Sequence, residues 1–283
     1  LKVEWGGKNI DAAAYSQMLS KVYARAKQAD PNVVILSAPL AQTLEQGDRG
    51  LNELLFMQQL YDAGFAKYCD IVMANGYGFD QPPTAEPDPQ KLNLRRIELL
   101  RKVMERNGDT AKPIWLNEYA WNAAPADWPV ERTPWLRVSE EQQARYAVEA
   151  YQRAARDWPW MGVMNYWFLR RPSDAEMNQP WYYFRLLEPD FTPLPAYGAL
   201  AELAHRPRQV MPGYFQEDHW ALSYSGPWQL VQNENAVLGA YQRGEPDAEL
   251  RFSFTGTDLT IVTRASSAVV EARIDQQPVK RFT

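Results

Sequence analysis

The chain has 283 residues, 46% of them apolar and 23% charged, with a formal net charge of -5. That apolar share can fill a core and excludes a disordered chain, and the acidic balance excludes the basic footprint that nucleic acid needs. One cysteine, Cys69, and two histidines, His205 and His219, leave no intrachain disulfide and no zinc cluster, and no apolar run approaches the ~20 residues of a membrane helix.

The first two-thirds alternate helix and strand. Asp11 can cap a helix whose apolar stripe is Tyr15, Met18, Leu19, Val22 and Ala26. Val33 to Ser37 is a short β-branched run between turn signals, as a strand buried on both faces should be. A helix over Leu51 to Ala63 follows, then a strand over Asp70 to Asn75. Leu92 to Asn107 reads as a helix with Ile97, Leu100 and Met104 on one side, and Gly108 is its natural stop. Ile114 to Asn117 is the third strand. Ser139 and Gln142 form a capping box opening a helix to about Asp157. Met161 to Trp167 is the fourth strand, and Tyr197 to His205 is a short closing helix.

Strands separated by helices imply parallel βαβ units. Long aromatic segments follow the strand ends, as they do on the active face of a (β/α)₈ barrel. A doubly wound sheet fits the same alternation, but no glycine-rich phosphate loop follows any of these strands. After Pro212 the pattern becomes period two: Leu250, Phe252 and Phe254, then Leu259 and Ile261, then Val270, Ala272 and Ile274. That pattern predicts antiparallel strands with one buried face.

Within this frame one stretch carries chemistry, Lys112-Pro113-Ile114-Trp115-Leu116-Asn117-Glu118-Tyr119-Ala120-Trp121. An apolar strand runs into a single carboxylate flanked by aromatics. With 11 Trp and 15 Tyr in the chain, amphipathic rings that can stack on sugars are plentiful.

Several segments in order resemble the C-terminal half of a clan A glycoside hydrolase, related to families 39 and 5. Asn75-Gly76-Tyr77-Gly78 sits where the sixth strand usually presents His-x-Tyr-Gly; Ile114 to Trp121 matches the seventh strand with its terminal Glu. Asn165-Tyr166-Trp167 matches the aromatic end of the eighth, and Pro193-Leu194-Pro195-Ala196-Tyr197 the closing helix. The resemblance implies an α/β fold, a (β/α)₈ TIM barrel represented by strands five to eight over residues 1–210. A partial antiparallel β-sandwich over 211–283 then resembles a carbohydrate-binding module.

It implies Glu118 as the nucleophile of a retaining glycosidase, with Asn75, Tyr77, Asn117, Trp121 and Trp167 binding substrate and neither metal nor cofactor. The family's acid/base Glu ends strand four in Asn-Glu-Pro. Leu1 to Gly7 resembles the loop just beyond it, so the chain is expected to be an internal fragment with little turnover of its own. Asp80, Glu86 and Asp174 are loop carboxylates that could reach the site, and Trp5 could line the same cleft. The expected partner is a carbohydrate, with no nucleic acid and no membrane segment. Oligomeric state is left open, and an extracellular or cell-surface setting is expected for the longer protein. The alternative is a non-catalytic sugar-binding protein on a degenerate barrel.

Overall fold

The computed structural model describes residues 2–282 other than 48, 130, 132, 211–212, 234–235, 237–238, 264–268 and 276. Leu1, Pro212 and Thr283, which served as boundaries in reading the sequence, lie outside the described residues. The chain divides into two compact units, Leu1–Pro207 and Arg208–Thr283.

In the first unit helix α1 (Ala12–Ala29) is capped by Asp11, whose Oδ1 accepts from the Ala14 N–H at 2.9 Å. Tyr15 and Leu19 are buried, but Met18 and Val22 are exposed, so only part of the expected stripe meets the core. A short hairpin of β1 (Gln46–Gly47) and β2 (Gly50–Leu51) leads into α2 (Glu53–Asp62), capped by Asn52. The remaining elements are β3 (Val72–Asn75), α3 (Arg96–Arg106), β4 (Ile114–Tyr119), α4 (Glu140–Asp157), β5 (Met161–Tyr166) and α5 (Pro195–His205). The Ser139–Gln142 capping box of α4 forms with both of its hydrogen bonds. Gly108 ends α3 with φ +74, a conformation that costs glycine nothing.

Strands β3, β4 and β5 form a three-stranded parallel sheet in that order. Its core joins Val72, Ala74, Ile114 and Leu116 to Ile97, Leu100 and Met104 of α3 and to Ala150 and Ala154 of α4. Helices cover the strands because a parallel connection must cross over the sheet face.

The segment 33–37 expected as a strand is instead held by two isolated parallel bridges, Leu36 to Ile71 and Leu40 to Ala74. Side chains interrupt the ladder: the Ile35 N–H donates to the Asp70 carboxylate at 2.8 Å, and Ser37 Oγ accepts the Met73 N–H at 2.9 Å. Pro39 has no N–H to give. The pairing resumes at Leu40, whose N–H donates to Met73 O at 3.3 Å, two residues before Gln42.

The second unit pairs its strands two at a time. Strand β6 (Gln209–Val210) pairs in parallel with β11 (Ser253–Phe254). Strand β7 (Ser223–Ser225) pairs with β10 (Glu249–Arg251), β8 (Trp228–Gln232) with β9 (Ala240–Gly244), and β12 (Val270–Ala272) with β13 (Lys280–Phe282), all antiparallel. The expected face is covered only in part: Leu250, Phe252, Phe254 and Ala272 are half-buried between exposed neighbours, while Leu259, Ile261, Val270 and Ile274 are exposed. Two-stranded ribbons alternate correctly, but among the described residues no second layer covers them.

Candidate active site

The position of Glu118 follows from a register change in β4. Against β3, the pairing jumps from Ala74–Leu116 to Asn75–Glu118; against β5 it jumps from Leu116–Met164 to Tyr119–Tyr166. Strict alternation would place Glu118 with Ile114 and Leu116 in the core. Leu116 and Tyr119 are instead both fully buried in that core. Asn117 and Glu118 together occupy the interval between them, as in a β-bulge. The extra residue turns the carboxylate away from the helices.

Three of the expected residues converge there. Glu118 Oε2 accepts from the Tyr77 hydroxyl at 2.7 Å and from Asn75 Nδ2 at 3.3 Å. Two donors on one oxygen fix the carboxylate rotamer. Among the described residues no hydrogen bond reaches Oε1. Burial first, then the bond to Glu118 and its charge, push the Tyr77 phenol well above its ordinary pKa. Tyr77 therefore keeps its proton and donates a hydrogen bond throughout the physiological range.

Gly76 and Gly78 allow this approach. The segment continues β3 alongside β4: the Gly76 N–H donates to Glu118 O at 2.7 Å and the Gly78 N–H to Ala120 O at 3.1 Å. A Cβ on Gly78 would lie 1.8 Å from Trp121 Cε2, and one on Gly76 2.7 Å from Leu116 Cδ1. Tyr77, between them, points to the opposite side.

The Tyr77 ring stands in an aromatic group around the buried Phe184, at 5.3 Å. Trp167 lies 6.1 Å from Tyr77 and edge-on to it, and Trp135 lies 6.3 Å away; both keep part of their surface exposed. The Trp167–Phe168 peptide bond is cis.

Trp121 requires a correction. It is 0% exposed, its indole N–H donates to Gln81 O at 2.7 Å, and its ring packs edge-on to Tyr146 and Tyr119. A ring with no free face cannot serve as a sugar platform; it is a core residue that seats the loop after β3. Asn117 lies beside Glu118 in the bulge, partly exposed, with no side-chain hydrogen bond among the described residues.

The loop carboxylates are engaged elsewhere. Glu86 pairs with Arg95 at 2.8 Å, Asp80 accepts from Gln81 Nε2, and Asp174 accepts from the Tyr182 hydroxyl. Trp5 packs on Tyr15 and lines a groove of about 600 Å³ with Glu4, Asn9 and Asp11, apart from the Glu118 group. Residues that the sequence did not single out are Gln42, whose amide meets the Tyr77 N–H at 2.6 Å, and Trp135 and Phe184. Glutamine in a loop has no local signature, and contacts that remote in sequence leave no spacing to read.

No family model matches this sequence, and no curated protein matches it. Among solved structures, a family 39 glycoside hydrolase from the gut symbiont Bacteroides cellulosilyticus matches with a TM-score of 0.51 at 18% identity. The chain is similar in fold to that glycoside hydrolase. The match covers 85% of this chain and 53% of the other, so the chain spans about half that enzyme's length. A monomeric β-xylosidase from Caulobacter crescentus matches at TM-score 0.43 and 18% identity, over 69% of this chain and 38% of its own. The GH39 enzyme from Xanthomonas axonopodis pv. citri gives 0.43 and 16%, over 69% and 37%. The first of these extends the likeness read from the sequence to the backbone fold. Among the described residues, no helix is long and apolar enough to cross a membrane.

Proposed function

We propose that this chain carries the nucleophile half of a retaining glycoside hydrolase, on the later strands of a (β/α)₈ barrel, with Glu118 attacking the anomeric carbon of a sugar. The observation that supports it most is Glu118 itself. It is turned out of the core by a bulge at the carboxyl end of a parallel strand, and it is held by Tyr77 and Asn75 beside aromatic rings. Charged residues at that end of barrel strands are the ones that act on substrates.

In this reading Oε1, which has no donor among the described residues, forms the bond to the anomeric carbon as the leaving oxygen departs with its electron pair. Tyr77 and Asn75 hold Oε2 and so aim Oε1. Trp167 presents its partly exposed ring beneath the sugar, and Asn117 contacts a sugar hydroxyl. Water then hydrolyses the glycosyl ester. A second carboxyl group must protonate ordinary leaving groups, and among the described residues no second carboxylate shares a hydrogen bond with Glu118, Tyr77 or Asn75. The second unit is proposed as an appended carbohydrate-binding-like module.

Leaving-group dependence tests this. A 2,4-dinitrophenolate departs without protonation, so a panel of 2,4-dinitrophenyl glycosides is expected to be cleaved even where the acid is lacking. Glu118→Gln should lower that rate by at least about 10³-fold. A 2-deoxy-2-fluoro glycoside should leave one sugar mass on the peptide containing Glu118. Wild-type-like turnover by Glu118→Gln would refute the assignment. Sugar binding without any cleavage of the activated glycosides would favour the second reading, a non-catalytic binder, which the engaged loop carboxylates also fit.

A further inference from the structure

We infer that Gln42 is a positioning residue, whose one amide clamps both ends of the loop carrying Tyr77 and so holds the Tyr77 hydroxyl on Glu118. The inference rests on the proposed role of Glu118. Gln42 follows the bridge from Leu40 to Ala74, which brings it beside the end of β3. Its Oε1 accepts the Tyr77 N–H at 2.6 Å, and its Nε2 donates to Asn93 O at 2.7 Å. Tyr77 stands at the entrance of the loop and Asn93 at its exit.

The exit is itself rigid. The buried Asn93 side chain donates to Glu86 O at 2.8 Å and accepts the Arg96 N–H at 3.0 Å. The Arg96 guanidinium donates to the carbonyls of Asp88, Pro89 and Lys91 and, through Nε, to Glu53. Gln42 couples this anchored exit to the backbone of Tyr77. Without it, the Tyr77 N–H would be a nearly buried donor lacking its acceptor, which the loop would have to shift to satisfy.

The role demands a primary amide of this length. It needs one acceptor and one donor, held in a plane and pointing in fixed directions. Asn is a methylene too short to span both, and an ionised Glu would set a carboxylate against Asn93 O. A protonated Glu, by contrast, has one acceptor and one donor in nearly the same shape. The charged groups on the elements around position 42 are Glu53, which accepts the Thr43 N–H at 3.0 Å, its partner Arg96, and Glu118, which accepts the Tyr77 hydroxyl.

The test uses the full chain with Gln42→Ala and Gln42→Glu. Amide hydrogen exchange at Tyr77 reports the clamp without reference to activity. Gln42→Ala should raise Tyr77 exchange about tenfold, the loss of one hydrogen bond. On an activated glycoside kcat should fall on the order of 10²-fold, with KM changed less than about threefold, as for a misplaced reacting group.

Gln42→Glu should behave like Gln42→Ala above the carboxyl titration and recover Tyr77 protection below it. A residue that merely filled space would show no such recovery. Unchanged Tyr77 exchange in Gln42→Ala, or a pH-independent defect in Gln42→Glu, would overturn the inference. Should Gln42→Ala fail to fold, the recovery of Gln42→Glu on acidification decides alone. If no glycoside is cleaved, the functional reading fails, while the Tyr77 measurements still decide whether Gln42 is the clamp.

Discussion

In the first unit Leu100, Met104, Ile114 and Leu116 have almost no contact with solvent, whereas in the second Leu230, Ile261, Val262 and Val270 are 48–72% exposed. Among the described residues of the second unit, only Ala221 is buried. Both units have the apolar periodicity proper to their elements. In the first, helices lie across a parallel sheet and supply the opposing surface; in the second, paired ribbons have none. Periodicity thus specifies which side of an element is apolar, and a second layer decides whether that side stabilises anything. At ~25 cal/mol per Å² of apolar surface removed from water, the ribbons gain little of what the sheet gains. A site that depends on fixed side chains belongs with the layered unit, where Glu118, Tyr77 and Asn75 are.

That contrast can be broken by substitution. The largest effect is expected at Arg96, fully buried against Glu53. Arg96→Ala leaves an uncompensated buried carboxylate and frees three loop carbonyls, and should cost about 3–5 kcal/mol in urea denaturation. A cost below about 1 kcal/mol would mean that the first unit is as loosely held as the second.

Next comes alkaline pH. Burial foremost pushes the Cys69 thiol up to about 12, and burial with the Asp174 contact raises Tyr182 to about 12. Both folded-state values lie above those of an unfolded chain, about 8.5 for Cys and 10 for Tyr. Their contribution is therefore complete below about pH 8.5 and is lost as the pH rises toward 12. Denaturation midpoints of the first unit should fall across that window, and Cys69→Ala should flatten the early part of the fall. Cys69 should also resist thiol reagents until the first unit unfolds, which makes it a reporter for that unit alone.

The smallest effect is expected in the second unit, where Val262→Ser should change stability by less than about 0.5 kcal/mol. A loss above about 1 kcal/mol would show that Val262 is covered in solution.

How far the sequence could be read divides along the same physical lines. The Ser139–Gln142 box, the Asp11 cap and the stop at Gly108 are local interactions, and all three are present. The parallel alternation of strand and helix and the position of Glu118 at a strand end were legible for the same reason. What was not legible depends on contacts between distant segments. The ladder near Ser37 is interrupted by Asp70 and Ser37 side chains, and the bulge at Asn117–Glu118 arises only when β4 meets both neighbours. Trp121 looked like a platform because it flanks the carboxylate in sequence. Gly78 is what lets its ring sink into the core.

The bulge in β4 also bears on how this chain can vary. Identity at position 117 is one matter and the register of Glu118 against Asn75 is another. Exchanging Asn117 leaves Glu118 pointing outward. Deleting it closes the bulge: Glu118 would follow Leu116 directly, still opposite Asn75 and facing away from the helices, with Tyr119 still inward. A one-residue slip of Glu118 against Asn75 is the change that turns the carboxylate into the core, so relatives of this chain should vary in the letter at position 117 more freely than in that register.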